Sequence, residues 1–172
     1  MSDVVVERLA PPGMVTLKAH DMAPPLAALG LPVPAVRRMV RAGDRAALWM
    51  APDEVLILGP DAALDAMAAM APALAGAHHL MADVTDARAL FRIAGPRARE
   101  VLAKLCPVDL HPAAFGPGDV RRTRAAQVAA AIWAEGRDDF RLIAFRSVAD
   151  YVAGLLAVSA DPAAAVGLFG AG

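Results

Sequence analysis

The residues of this chain that could do chemistry are four histidines, His20, His78, His79 and His111, one cysteine, Cys106, the aspartates Asp83 and Asp86, and the arginines Arg97, Arg99, Arg121, Arg122 and Arg124. A zinc site needs imidazole or thiolate ligands that converge. Neighbouring side chains of a strand point to opposite faces, so His78 and His79 do not share a metal there, and neither an H-E-x-x-H helix nor a Cys/His cluster occurs. Asp83 and Asp86 have the spacing of an acid/base pair, but carboxylates three apart near a strand end also read as turn and cap residues. Ser147 and Ser159 lack the G-x-S-x-G surroundings of an activated nucleophile. The segment Gly95-Pro96-Arg97-Ala98-Arg99 could hold an anion at a helix start, or be a plain helix entry. Phosphate-binding glycine motifs of the P-loop or dinucleotide type are absent. Arg121, Arg122 and Arg124, without interleaved aromatics, read as an edge-strand guard or a protein interface. This inspection yields no active site, no cofactor-binding set and no metal set.

Composition narrows the classes further. The chain has 172 residues, is 58% hydrophobic, and carries a formal charge of -1. Alanine supplies about a quarter of the residues, far above its usual share, so the core must be built from thin layers. Aromatic residues at 5% are too few for a base-stacking platform, and near-neutral charge argues against a nucleic-acid partner. A lone cysteine forms no internal disulfide, and Cys106 between Leu105 and Pro107 reads as a buried structural thiol. No signal-peptide core precedes Ala10, and the apolar run 66–77 is broken by Pro72 and too short to span a bilayer. The expectation is a cytoplasmic protein with no membrane partner.

Those residues must be positioned by the elements around them. Residues 1–44 are proline-rich and read as a segment with only short regular pieces, including a helical turn at 36–41 with Val36, Met39 and Val40 inward. Arg37, Arg38 and Arg41 are then a solvated face or an anion-binding one. Apolar runs at 47–50 and 55–58 around Pro52-Asp53 predict a hairpin. Asp61 is the expected N-cap of a helix with Leu64, Met67, Ala68 and Ala71 inward, ended by Pro72 and Gly76. Strands are expected at 78–84 and 89–93. Pro96 at the first helical position opens a helix with Ala98, Val101, Leu102 and Leu105 inward, and Glu100 four residues before Lys104. A loop follows over 107–119, with Phe115 as its anchor into the core. A second hairpin spans 127–145. Ser147-Val148-Ala149-Asp150 resembles a capping box for a final helix with Val148, Val152, Leu155 and Leu156 on its apolar stripe. Hairpins mixed with helices predict an α+β fold, antiparallel sheets with helices packed on one face. The division expected is 1–44, 45–158 and a frayed tail at 159–172.

The string from Val84 to Pro112, and above all Gly95-Pro96-Arg97-Ala98-Arg99-Glu100-Val101-Leu102-Ala103-Lys104-Leu105-Cys106-Pro107-Val108-Asp109-Leu110-His111-Pro112 with Phe115 after it, resembles the gamma subunits of heterotetrameric sarcosine oxidases. The hairpin Pro52-Asp53-Glu54-Val55-Leu56-Ile57-Leu58 is similar to the family's, with Val55 in place of its usual tryptophan. Phe145 to Val152 is similar to the start of the family's last helix. The likeness covers most of residues 45–158. It implies a fold related to the aminomethyltransferase (glycine-cleavage T-protein) and other folate-binding domains. It also implies alpha, beta and delta subunits as partners. In that assembly FAD, FMN, NAD, tetrahydrofolate and zinc belong to the other subunits, and sarcosine is demethylated oxidatively to glycine and hydrogen peroxide, the one-carbon unit passing to tetrahydrofolate. No catalytic residue is implied in the gamma chain.

The resulting expectation is a non-catalytic subunit that serves assembly and stability. Asp109, His111 and Phe115 are the candidate partner-interface residues; alternatively they brace their own loop. A stand-alone folate-binding or aminomethyltransferase-like domain is the alternative, and an anion-binding module using Arg97, Arg99 and Arg121 to Arg124 a third. The isolated chain could self-associate through exposed apolar patches.

Overall fold

The computed structural model describes residues 4–60 and 62–169. The chain forms two compact units, one from Pro11 to Asp86 and the other from residues up to Ala10 together with those from Ala87 onward. Strand β1 (Val5–Leu9) opens the chain and belongs to the second unit.

The first unit contains β2 (Gly13–Ala19), α1 (Ala23–Ala28), β3 (Met39–Ala42), β4 (Arg45–Ala51), β5 (Glu54–Gly59), α2 (Ala63–Met70), a 3-10 turn (Ala71–Leu74) and β6 (His79–Asp83). Its sheet runs β3-β4-β5-β2-β6, every neighbour antiparallel. The hairpin read from the apolar runs is present, with Pro52-Asp53 between β4 and β5. Alternation then sorts the side chains: Val15, Leu17, Ala47, Val55 and Ile57 share one face and are buried with Leu26, Met70 and Leu74. The prolines expected to limit residues 1–44 instead punctuate them. Pro24 and Pro25 lie in the first turn of α1, where a missing N–H costs little, and Gly30 at φ +71° turns the chain out of it.

Three local expectations change here. In place of the helical turn expected at 36–41, a turn at Val36-Arg37 leads into β3: Trp49 donates to the Arg38 carbonyl at 3.0 Å, and Met39 pairs with Leu48. The eight residues between Pro34 and Gly43 are too few for a stable helix, whereas β4 offers them a ladder; Val36 is 67% exposed. Helix α2 begins at Ala63 with Ala62 at its N-cap, and Asp61 lies outside the described residues. Its buried stripe is Ala63, Met70 and then Leu74, so Leu64 is turned to water at 66% exposure.

The second unit adds β7 (Arg88–Ala94), α3 (Ala98–Leu105), β8 (Val120–Ala125), β9 (Val128–Gly136), β10 (Asp139–Phe145) and α4 (Ala149–Ala160). The sheet order is β1-β7-β10-β9-β8, all antiparallel. Phe91, Ile93, Ile132, Ala134, Phe140 and Leu142 face α3 and α4, whose Val101, Leu102, Val152 and Leu156 fill the same core. Both helices lie on one face of that sheet, so the α+β architecture expected from the sequence is the one observed. The arginine run 121–124 lies on β8, an edge strand that the apolar pattern did not reveal because charged side chains occupy its exposed positions.

Two helix entries differ from expectation. Arg97 is the N-cap of α3, so Pro96 stands before the helix rather than at its first position. A 3-10 turn over Arg146–Val148 leads into α4, whose N-cap is Val148, and no side-chain cap forms from Ser147. Position 44 lies in the β3–β4 turn, and β2 pairs along β5 from Gly13↔Gly59 to Lys18↔Glu54, tying the proline-rich segment into the first sheet.

Candidate partner-binding site

The site begins with two consecutive side chains of α3. Arg99 and Glu100 are buried, although the helix would hide only its apolar stripe if nothing else packed on it. One Arg99 terminal nitrogen donates to the carbonyls of Leu110 at 2.9 Å and Phe115 at 2.7 Å, and the other to that of Arg137 at 2.6 Å. The guanidinium carbon stands 4.9 Å from the Phe140 ring centroid. Burial lowers the Arg99 pKa, against the opposing pull of the Asp138 carboxylate 3.6 Å from Nε. A rigid planar fork suits this task, since one side chain bridges three carbonyls. Arg99 therefore holds the 106–119 loop and the β9–β10 turn rather than an external anion.

Glu100 does the corresponding work for the C-terminal segment. Its carboxylate accepts from the backbone N–H groups of Val166 at 2.9 Å, Gly167 at 2.9 Å and Leu168 at 3.3 Å. Lys104 is 3.1 Å away and also donates to the carbonyls of Ser159 and Ala164. Arg97 is 3.6 Å from the same carboxylate and donates to the Asp161 carbonyl at 3.4 Å. The segment expected to fray is thus tied down through Leu168. The N–H of Val166, opposed by burial and aided by Lys104, Leu168 and Gly167, holds the Glu100 pKa down to about 2.

Clamped by Arg99, the 106–119 loop has an inner and an outer side. Phe115 is fully buried, stacked on Phe140 with centroids 6.0 Å apart, and the Arg121 guanidinium lies 5.4 Å from its ring. It is the loop's anchor, as its position suggested, and it offers no surface to a partner. Asp109 and His111 lie outside. The Asp109 carboxylate accepts from the His111 N–H at 2.9 Å, and His111 Nδ1 accepts from the Ala113 N–H at 3.2 Å. That bond assigns the neutral ring's proton to Nε2. Pro107, Asp109, His111, Pro112 and Ala113 form the exposed rim.

Cys106 and Asp83 have structural surroundings. Cys106 is the buried C-cap of α3, and burial pushes its thiol up to about 12, which favours the protonated form. The Asp83 carboxylate accepts from the Thr85 N–H at 2.9 Å, and Thr85 lowers its pKa, which marks a turn residue. What the sequence did not foresee is that pairing Ala19 with His79 brings His20 beside His78 and His79. With Lys18, Ala19, Asp53 and Leu80 they line a cleft of about 540 Å³ in the first unit. Only the β2–β6 register could have revealed it. Among the described residues, no three His, Cys, Asp or Glu side chains are grouped to hold a metal ion, and no helix is long and apolar enough to cross a membrane.

Residues 18–162 match the sarcosine oxidase, gamma subunit family. The chain belongs to that family. Sarcosine oxidase subunit gamma from Corynebacterium sp. (strain P-1) is 34% identical over 98 residues, which cover 57% of this chain and 48% of that protein. The chain thus spans about half the length of the curated relatives it matches first. A chain of the heterotetrameric sarcosine oxidase from Corynebacterium sp. U-96, solved in complex with pyrrole 2-carboxylate, superposes with a TM-score of 0.85 at 25% identity, covering 96% of this chain and 88% of that one. The glycine cleavage system aminomethyltransferase T from Bartonella henselae shares the fold, with a TM-score of 0.66 at 14% identity over 90% of this chain and 45% of that one.

Proposed function

We propose that this chain is a non-catalytic gamma subunit that packs on the large alpha and beta subunits of a sarcosine oxidase, with a delta subunit completing the heterotetramer. The complex converts sarcosine to glycine and hydrogen peroxide and passes the one-carbon unit to tetrahydrofolate. The observation that carries this reading is the likeness along 96% of the chain to a chain of the heterotetrameric enzyme. FAD, FMN, NAD, tetrahydrofolate and zinc then belong to the other subunits.

The chain's contribution is assembly. A subunit that binds only the folded state of its partners stabilises them by mass action. The exposed rim of the 106–119 loop, with Asp109 and His111 outward and Phe115 bracing from within, is the proposed contact. Arg99 gives that rim a fixed shape, which spares the ordering cost a loose loop would incur on binding.

The test is co-expression with the neighbouring large-subunit genes, pulling on a tag attached to this chain. Flavin-yellow large subunits should come down in equal ratio, with sarcosine-dependent peroxide production. A colourless protein that emerges alone would overturn the subunit reading, and quenching of Trp49 or Trp133 fluorescence by folate would then favour a stand-alone folate-binding domain. Asp109→Ala with His111→Ala should weaken co-purification about tenfold. Unchanged recovery would remove the loop from the interface.

A further inference from the structure

Residues 22–43 carry Arg37, Arg38 and Arg41 and no aspartate or glutamate, in a chain whose formal charge is only -1. The first two arginines lie in the turn that leads into β3, and the third lies on β3 itself. The Arg38 N–H closes that turn on the Ala35 carbonyl at 3.0 Å. Arg37 is the third residue of the turn, at φ +61°. A β-turn with a left-handed residue in that place usually has glycine or asparagine there, because a Cβ crowds the following carbonyl.

The fold grips this turn on both sides and leaves its tip unused. Leu31 and Pro34 are buried before it, and the Trp49 N–H donates to the Arg38 carbonyl at 3.0 Å after it. Val33 is 48% and Val36 67% exposed. The Arg37 guanidinium, exposed as well, has no hydrogen-bond or ion-pair partner among the described residues. Ala126 is the other non-glycine residue described at positive φ, and its backbone has an internal reason. Its N–H donates to the Leu105 carbonyl at 2.8 Å, joining the β8–β9 turn to the end of α3. Arg37 has no such reason. Glycine meets the geometry of its turn with less strain, so what the arginine side chain supplies lies outside the chain.

We infer that the Val36-Arg37 tip is a docking point that seats in an apolar pocket rimmed by carboxylates on a large subunit of the complex, an inference that rests on the subunit reading above. The chemistry of the tip selects that partner. Val33 and Val36 offer apolar area that faces water in the isolated chain. Arg37 adds a planar fork that pairs with a carboxylate through two bonds. Arginine beside apolar contacts is a frequent anchor of protein interfaces. A phosphate backbone has no use for the two exposed valines, whereas an apolar pocket with an acidic rim takes both kinds of group. The buried flanks fix the tip before binding, so little ordering remains to oppose association.

Capture of the large subunits by the tagged full chain, measured beside urea unfolding of the purified chain, tests this contact. Arg37→Gly should raise the urea midpoint, because it relieves the left-handed strain, and yet weaken capture about tenfold or more. Val36→Ser should weaken capture while leaving the midpoint in place, because that side chain is mostly in water. An Arg37→Gly chain with a lowered midpoint would put the arginine in the service of its own fold and overturn the inference. Capture by Arg37→Gly equal to that by the wild type removes the contact and leaves the subunit reading standing. A wild-type chain that captures no large subunit overturns the subunit reading, and the contact falls with it.

Discussion

Glu100 illustrates how one side chain changes meaning between sequence and structure. By spacing it is the first half of a helix-surface pair with Lys104, an arrangement worth only a few tenths of a kcal/mol. Folded, it is buried and accepts three backbone N–H groups from Val166 to Leu168 as well as facing Lys104. Its pKa falls from an ordinary 4.5 to about 2, so the folded state binds the ionised form more tightly. That stabilisation is fully present above pH 4.5 and is lost as the pH falls toward 2. Glu100→Gln should cost about 2 kcal/mol at neutral pH, the scale of a charge-assisted hydrogen-bond set. It should also flatten the loss of stability in the acid window and raise hydrogen exchange at residues 166–168. Wild-type and variant urea midpoints that run parallel from pH 5 to pH 2 would refute the latch. Periodicity could not supply this role, because the donors stand 66 to 68 positions away.

At the scale of elements, strongly patterned segments were legible and weakly patterned ones were not. α3 buries Ala98, Val101, Leu102 and Leu105, the residues its spacing indicates. The hairpins β4–β5 and β9–β10 follow runs of apolar β-formers around short polar turns. α2 was harder, because alanine-rich sequence carries little contrast between faces. Its sequence sets the phase at Leu64, yet the buried positions are Ala63 and Met70. Leu64→Lys should therefore change stability by less than about 0.5 kcal/mol, whereas Met70→Ala should cost about 2–5 kcal/mol. Denaturant unfolding of the two variants separates the alternatives, and a costly Leu64→Lys would restore the phase read from the sequence. β8 is an edge strand that its arginines suggest but no apolar alternation marks, since its two buried residues, Val120 and Ala125, are separated by arginines and a threonine.

Across the whole molecule, chain order and unit membership diverge. Residues up to Ala10 belong with those from Ala87 onward, because β1 pairs with β7 from Val5↔Ala94 to Leu9↔Leu90 and Val4 enters that core. Deleting residues 1–10 should destabilise this unit by at least about 1.5 kcal/mol, the burial of one valine, and a urea midpoint equal to that of the full chain would contradict the assignment. The family was legible from the α3-and-loop string, and residues 18–162 bear it out. For the candidate interface, the loop's position and its Phe115 anchor were readable. That Asp109 and His111 face outward while Phe115 lies wholly inside was decided by the clamp of Arg99. The sequence by itself determined the α+β class, the local hairpins, the apolar stripes of α3 and α4, and the buried character of Cys106, because each rests on side chains a few positions apart. Only the tertiary structure decided how residues 1–44 are divided, what holds the C-terminal segment, and which histidines share a cleft. These depend on hydrogen bonds and registers between residues far apart in the chain, where nothing in the local pattern specifies the partner.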